Sequence, residues 1–129
     1  MKKRTKGFTL MELLITMGII VLLMGVGVVS YTQTNKKARD SKRKADIESI
    51  RSALELYRTD QGQYPALTVD GSNCITSTNI TSGAIIYLAK LPTDPTSYCY
   101  KYLLGASPFT TYEITCTFEG GESCSYINP

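Results

Sequence analysis

The chain has 129 residues, of which 19% are charged, a net charge of +3 and no histidine. Its length leaves room for one modest globular domain once any membrane segment is set aside. Lack of histidine excludes Ser-His-Asp and Cys-His catalysis and the commonest metal ligand, and no Gly-rich phosphate loop is present. Carboxylates such as Asp46 and Glu48, two apart, do not face each other on a helix. No catalytic activity and no cofactor are expected.

Charge is strongly ordered along the chain. Lys2, Lys3, Arg4 and Lys6 precede Phe8; after Glu12 no charge occurs until Lys36, where Lys36, Lys37, Arg39, Lys42, Arg43 and Lys44 follow closely. Residues 13–29 read LLITMGIIVLLMGVGVV. A helix of about 20 apolar residues spans the ~30 Å hydrocarbon core of a bilayer, so this stretch is a predicted membrane helix. A cleaved secretory signal is disfavoured because the run is long, carries a carboxylate at its start and lacks an A-x-A-like site. Both flanks are basic, so charge does not orient the helix. The cysteines do: Cys74, Cys99, Cys116 and Cys124 all lie in the second half, which points to export of that half into an oxidising compartment.

Residues 36–58 remain helical in pattern but turn amphipathic, with Ile47, Ile50, Leu54 and Tyr57 along one stripe. No proline interrupts residues 8–58, so one helix of roughly 50 residues is predicted, closed by Gly62 and Tyr64-Pro65. The basic cluster at 36–44 reads as a solvated helix face beside a membrane; pairing with acids of neighbouring heads or with lipid phosphates is the second reading. Clustered basic residues alone do not make nucleic acid an expected partner.

Residues 66–82, dense in Thr, Ser, Asn and Gly, read as surface loop, and 84–91 is too short to separate helix turn from strand. Residues 98–104 and 110–118 are aromatic and β-branched, and alternation turns Tyr112, Ile114, Cys116 and Phe118 to one face. Residues 105–109 and 119–121 can turn two hairpins, the second into 122–127. Zinc is disfavoured by the wide, irregular cysteine spacings, so disulfides are expected. Three pairings are possible. A three-residue turn at 119–121 would set Cys116 opposite Cys124, which favours that pair and leaves Cys74 with Cys99.

The most informative segment is KGFTLMELLITMGII, residues 6–20. A glutamate at the start of a membrane helix costs on the order of 3 kcal/mol and wants a partner. A cut between Gly7 and Phe8 would create a positive α-amine four residues before Glu12, or on a neighbouring subunit's helix. KGFTLMELL resembles the leader and cleavage site shared by type IV pilins and type II secretion pseudopilins. The resemblance implies cleavage after Gly7 by a prepilin peptidase/methyltransferase, N-methylation of Phe8, and an assembly role for Glu12. ARDSKRKADIESIRSALELYRTDQGQYP resembles the pseudopilin helix that ends in a Gly-x-Tyr-Pro turn, and LPTDPTSYCYKY resembles the Leu-Pro-x-Asp-Pro loop and following strand of major pseudopilins. Two features depart from the pattern. No proline breaks the membrane helix, where Gly25 and Gly27 are the loose points, and EGGESCSYINP lacks the aspartates of a pseudopilin calcium loop, so no metal is expected.

The expected architecture is an α+β, type IV pilin-like fold: a leader (1–7), a transmembrane and filament-core helix (8–35), its amphipathic continuation (36–60) and an exported β-rich head (61–129). Its expected partners are lipid before assembly, then an inner-membrane assembly platform and other subunits of a homopolymeric filament. A filament core would bundle the apolar helices, with Gly18, Gly25 and Gly27 allowing close approach. A type II secretion pseudopilus and a true type IV pilus are both compatible with this reading; a signal-anchored exported binding domain that does not polymerise is the alternative.

Overall fold

The computed structural model describes residues 7–128, with residues 26–30 described by backbone alone. The leader residues 1–6 lie outside the described residues. Helix α1 runs Leu10–Gln61. It is followed by β1 (Ile80–Ser82), β2 (Ile85–Leu88), β3 (Lys101–Leu104), β4 (Tyr112–Thr117) and β5 (Ser123–Asn128). The chain forms two compact units, Met1–Lys37 and Ala38–Pro129.

Within the second unit, β3, β4 and β5 form an antiparallel meander, and β1 and β2 a separate hairpin. Apolar residues at three- and four-residue steps put Ile47, Ile50, Ala53 and Leu54 on one face of α1, where they are buried with Tyr102, Tyr112, Ile114, Cys116 and Cys124 of the meander. Tyr57 and Phe118 join at the margin, partly buried. Period-two alternation along β4 sends Tyr112, Ile114 and Cys116 inward. The helix stops where Gly62 takes a φ of 75° and its N–H donates to the Arg58 carbonyl at 2.7 Å, a left-handed end that a side chain would strain.

The region read as loop, 66–82, is more ordered than its composition implies. Its last residues form β1, and Ile80, a lone large apolar side chain in a polar run, is buried in the core. Its partner β2 settles the ambiguous 84–91 stretch as strand. Upstream, Asp70 Oδ1 accepts from the N–H groups of Ser72 (2.8 Å) and Cys74 (2.9 Å), a side-chain turn that leads into a Val69–Ile75 bridge and a Cys74–Lys101 bridge to β3.

Disulfides join Cys74 to Cys99 and Cys116 to Cys124. Cys116 and Cys124 are direct register partners of β4 and β5. The connecting turn closes with Phe118 N–H donating to the Glu122 carbonyl (2.8 Å) and Gly121 at φ 85°, a three-residue loop ending in a left-handed glycine.

Packing makes the α1 face the sensitive one. Ile50→Ala, at a fully buried site, is expected to cost about 3 kcal/mol in denaturant unfolding of the full chain in detergent. Leu56→Ala, on the exposed side of the same helix, is expected to cost under about 0.5 kcal/mol.

Candidate functional site

Two constellations stand out, one in each unit. In the first, Gly7, Phe8 and Thr9 precede the helix, and Phe8 is 83% exposed. The Thr9 N–H and hydroxyl each donate to Glu12 Oε2 at 2.9 Å, and the Glu12 N–H donates back to Thr9 Oγ1 at 3.3 Å. This is a Thr-x-x-Glu capping box, which satisfies orphan donors at the helix start. The Thr-x-x-Glu spacing is visible in the sequence, and it gives Glu12 a partner within its own first turn.

Beyond the cap, the side chains of Leu10, Met11, Leu14, Val21, Leu22 and Met24 are all exposed. A Cβ added at Gly18 or Gly25 would meet nothing within 4 Å, so both glycines lie on open surface. Among the described residues no helix is long and apolar enough to cross a membrane. The 13–29 stretch and Gly27 extend into residues 26–30, whose side chains are not described.

In the second unit Arg43 is completely buried, and the reading of the basic cluster as a solvated face is corrected there. Arg43 lies four residues before Ile47, at the start of the apolar stripe, a signal the sequence carried. Its guanidinium donates from Nε to Asp94 Oδ2 (2.6 Å), from Nη2 to Asp94 Oδ1 (3.0 Å) and Thr96 Oγ1 (2.8 Å), and from Nη1 to Asp40 Oδ1 (2.6 Å). Glu119 Oε1 lies 3.8 Å from Nη1. Arg39 clasps Glu119 through Nε and through Nη2 at 2.7 Å, and the Glu119 N–H donates to Asp40 at 3.2 Å. The Tyr98 ring covers Arg43 at 5.3 Å. Lys36, Lys37 and Lys42 remain exposed, and Lys44 sits over the Phe118 ring at 5.2 Å.

The hydrogen bond to Asp94, above all, raises the Arg43 pKa, so it stays charged. Burial is the largest single influence on Asp94 and opposes its charge. The hydrogen bonds from Arg43 and Thr96 together outweigh it and hold the carboxyl down at about 2.

The far end of the buried stripe carries a second polar knot. The Tyr64 hydroxyl of the Gly-x-Tyr-Pro turn donates to Glu55 (3.0 Å) and accepts from Arg58 Nη1 (3.0 Å) and Asn128 Nδ2 (2.6 Å), while Asn128 also donates to Glu55 (2.7 Å). The end of β5 is thereby tied to the helix and its closing turn. Burial raises the Tyr64 pKa, as it does those of Tyr102 and Tyr112, so these hydroxyls stay protonated.

A long N-terminal helix, apolar at its start and packed in its later part on a small antiparallel meander, defines the pilin-like α+β class. The chain belongs to the type II secretion system protein G family, that of the major pseudopilin: it matches the family model described as type II secretion system (T2SS), protein G, over residues 30–123. It also matches the prokaryotic N-terminal methylation motif over residues 2–28. It is 30% identical over 105 residues to type II secretion system core protein G of Pectobacterium carotovorum subsp. carotovorum (78% of this chain, 67% of that one). Proteins of the same name from Pseudomonas aeruginosa (28% identity; 95% and 91% covered) and Vibrio cholerae (29%; 95% and 86%) are matched over nearly the whole chain. No solved structure shows a significant match.

Arg43→Ala would strand Asp94 in the interior and is expected to cost about 3–5 kcal/mol, measured by denaturant unfolding. The acid limb is equally specific. The Asp94 pKa is depressed from 3.8 to about 2, so the unfolded chain binds its proton first, and the group's contribution is complete above pH 3.8 and lost as pH falls through about 2. Asp94→Asn is expected to remove on the order of 2 kcal/mol from the difference in stability between neutral pH and pH 2.

Proposed function

We propose that this chain is the structural subunit of a type II secretion pseudopilus. It is made as a membrane-anchored precursor, cut between Gly7 and Phe8, N-methylated at Phe8 and polymerised with other pilin-like subunits by an inner-membrane assembly platform. The carrying observation is the apolar start of α1, whose side chains are exposed in the isolated chain. Such a surface needs lipid before assembly and equivalent helices afterwards. Residues 13–29 supply the span, the N-terminus stays inside, and the half holding both disulfides is exported, as an oxidising compartment requires.

In this reading Gly7 and Phe8 suit a peptidase because they precede the helix, where the backbone is free to enter an active site. Glu12, capped by Thr9, presents its carboxylate beside the new amine or to that of a neighbour. The work of the protein is assembly, not catalysis. The family match over the head favours a secretion pseudopilus over a true pilus, and the Asp94 of the resembling loop is the residue Arg43 grips.

N-terminal peptide mass spectrometry, on protein from its native membrane and from sheared filaments, is expected to find a chain that begins at methylated Phe8. A chain that starts at Met1 in the filaments, or is cut after the apolar stretch, would refute this reading. Glu12→Ala is expected to leave cleavage intact and abolish filaments in the same preparation.

A further inference from the structure

A pseudopilin head implies calcium, and the described residues do not fit it. No group of three or more His, Cys, Asp or Glu side chains among them is placed to hold a metal ion. In the C-terminal hairpin both cysteines are in a disulfide, and Glu119 is held by Arg39 and Arg43. Three carboxylates do converge in the head, from three separate segments: Asp40 on α1, Asp94 on the loop before β3, and Glu119 on the β4–β5 turn. What lies between them is the guanidinium of Arg43.

We propose that Arg43, assisted by Arg39, is a built-in cation that does for this head what a divalent metal would do, and that folding of the head does not depend on calcium. A bridging metal joins oxygen atoms from distant segments and neutralises them. Arg43 does both with fixed donors, contacting Asp94 in a two-pronged fork at 2.6 and 3.0 Å and Asp40 at 2.6 Å, with Glu119 at 3.8 Å. The site is closed: the Arg43 side chain is 0% exposed and that of Asp94 1%. Two guanidinium groups at the carboxylates repel any further cation. The hairpin that carries Glu119 is fixed independently by the Cys116–Cys124 disulfide, so the turn presents its carboxylate without help from an ion.

The test is thermal unfolding of the full chain in detergent micelles, with excess chelator or with millimolar calcium chloride. The expected result is the same midpoint in both, within about 1 °C. A midpoint several degrees lower in chelator, or saturable sub-millimolar calcium binding by calorimetry, would overturn the proposal. Arg43→Met bares Asp40 and Asp94, with Glu119 left to Arg39, and is expected both to lower the midpoint and to make it rise with calcium, whereas Arg39→Met stays insensitive. An Arg43→Met protein that folds yet ignores calcium would also overturn it. Should that variant not fold, Arg43→Lys, which keeps the charge and loses the fork, is expected to melt lower and to remain calcium-insensitive; a wild-type midpoint for it would refute the role of the fork. These readouts are independent of N-terminal processing and filament formation, so they stand or fall separately from the pseudopilin reading.

Discussion

Everything in the head depends on one seam, the face of α1 from Arg43 through Ile47, Ile50 and Leu54 packed on the inward residues of β3, β4 and β5. Its middle is apolar and non-directional, so it supplies burial without fixing position along the helix. Position is set at the two ends. Arg43 grips the loop before β3 and the β4–β5 turn at one end, and Glu55, Tyr64 and Asn128 join the helix, its closing turn and the last strand at the other. Directional hydrogen bonds at the ends therefore determine which residues face which across the apolar middle.

The cost of that arrangement is the burial of a full charge. An isolated guanidinium in the interior would be strongly unfavourable, and replacing a buried ion pair with apolar groups is often neutral or stabilising. Arg43 is tolerated because four hydrogen bonds reach two carboxylates and a hydroxyl in good geometry, and no buried side-chain polar atom among the described residues lacks a partner. What the node contributes is geometric specificity, since three segments distant in sequence are tied to a single side chain.

The first unit poses the opposite problem. Its apolar helix has an internal solution only at its start, where Thr9 and Glu12 cap each other. The capping box completes the helix start but leaves the flanking apolar side chains exposed. Under the proposed pseudopilus role, lipid and then neighbouring helices would cover that surface.

Several elements were legible because they rest on local periodicity. The helix, its buried stripe at 47, 50 and 54, the glycine stop and the alternation of β4 follow from spacing that the chain carries whatever it packs against. The Cys116–Cys124 register followed from turn length. The N-terminal methylation motif was equally plain, being a contiguous string. The place of Arg43 on the apolar stripe was legible, but its burial was not, because a charged residue in a basic run is solvated by default, and only the approach of Asp94 and Glu119, 51 and 76 residues further on, makes burial tolerable. β1 was hidden for a related reason: Ile80 sits among polar neighbours, and its burial depends on a core assembled elsewhere. Sequence determined the elements, the prepilin-type start and the two-part character of the helix, since each is written in neighbouring residues. Tertiary structure alone decided which charges are buried and which loop becomes strand, because both depend on partners that only folding brings within reach.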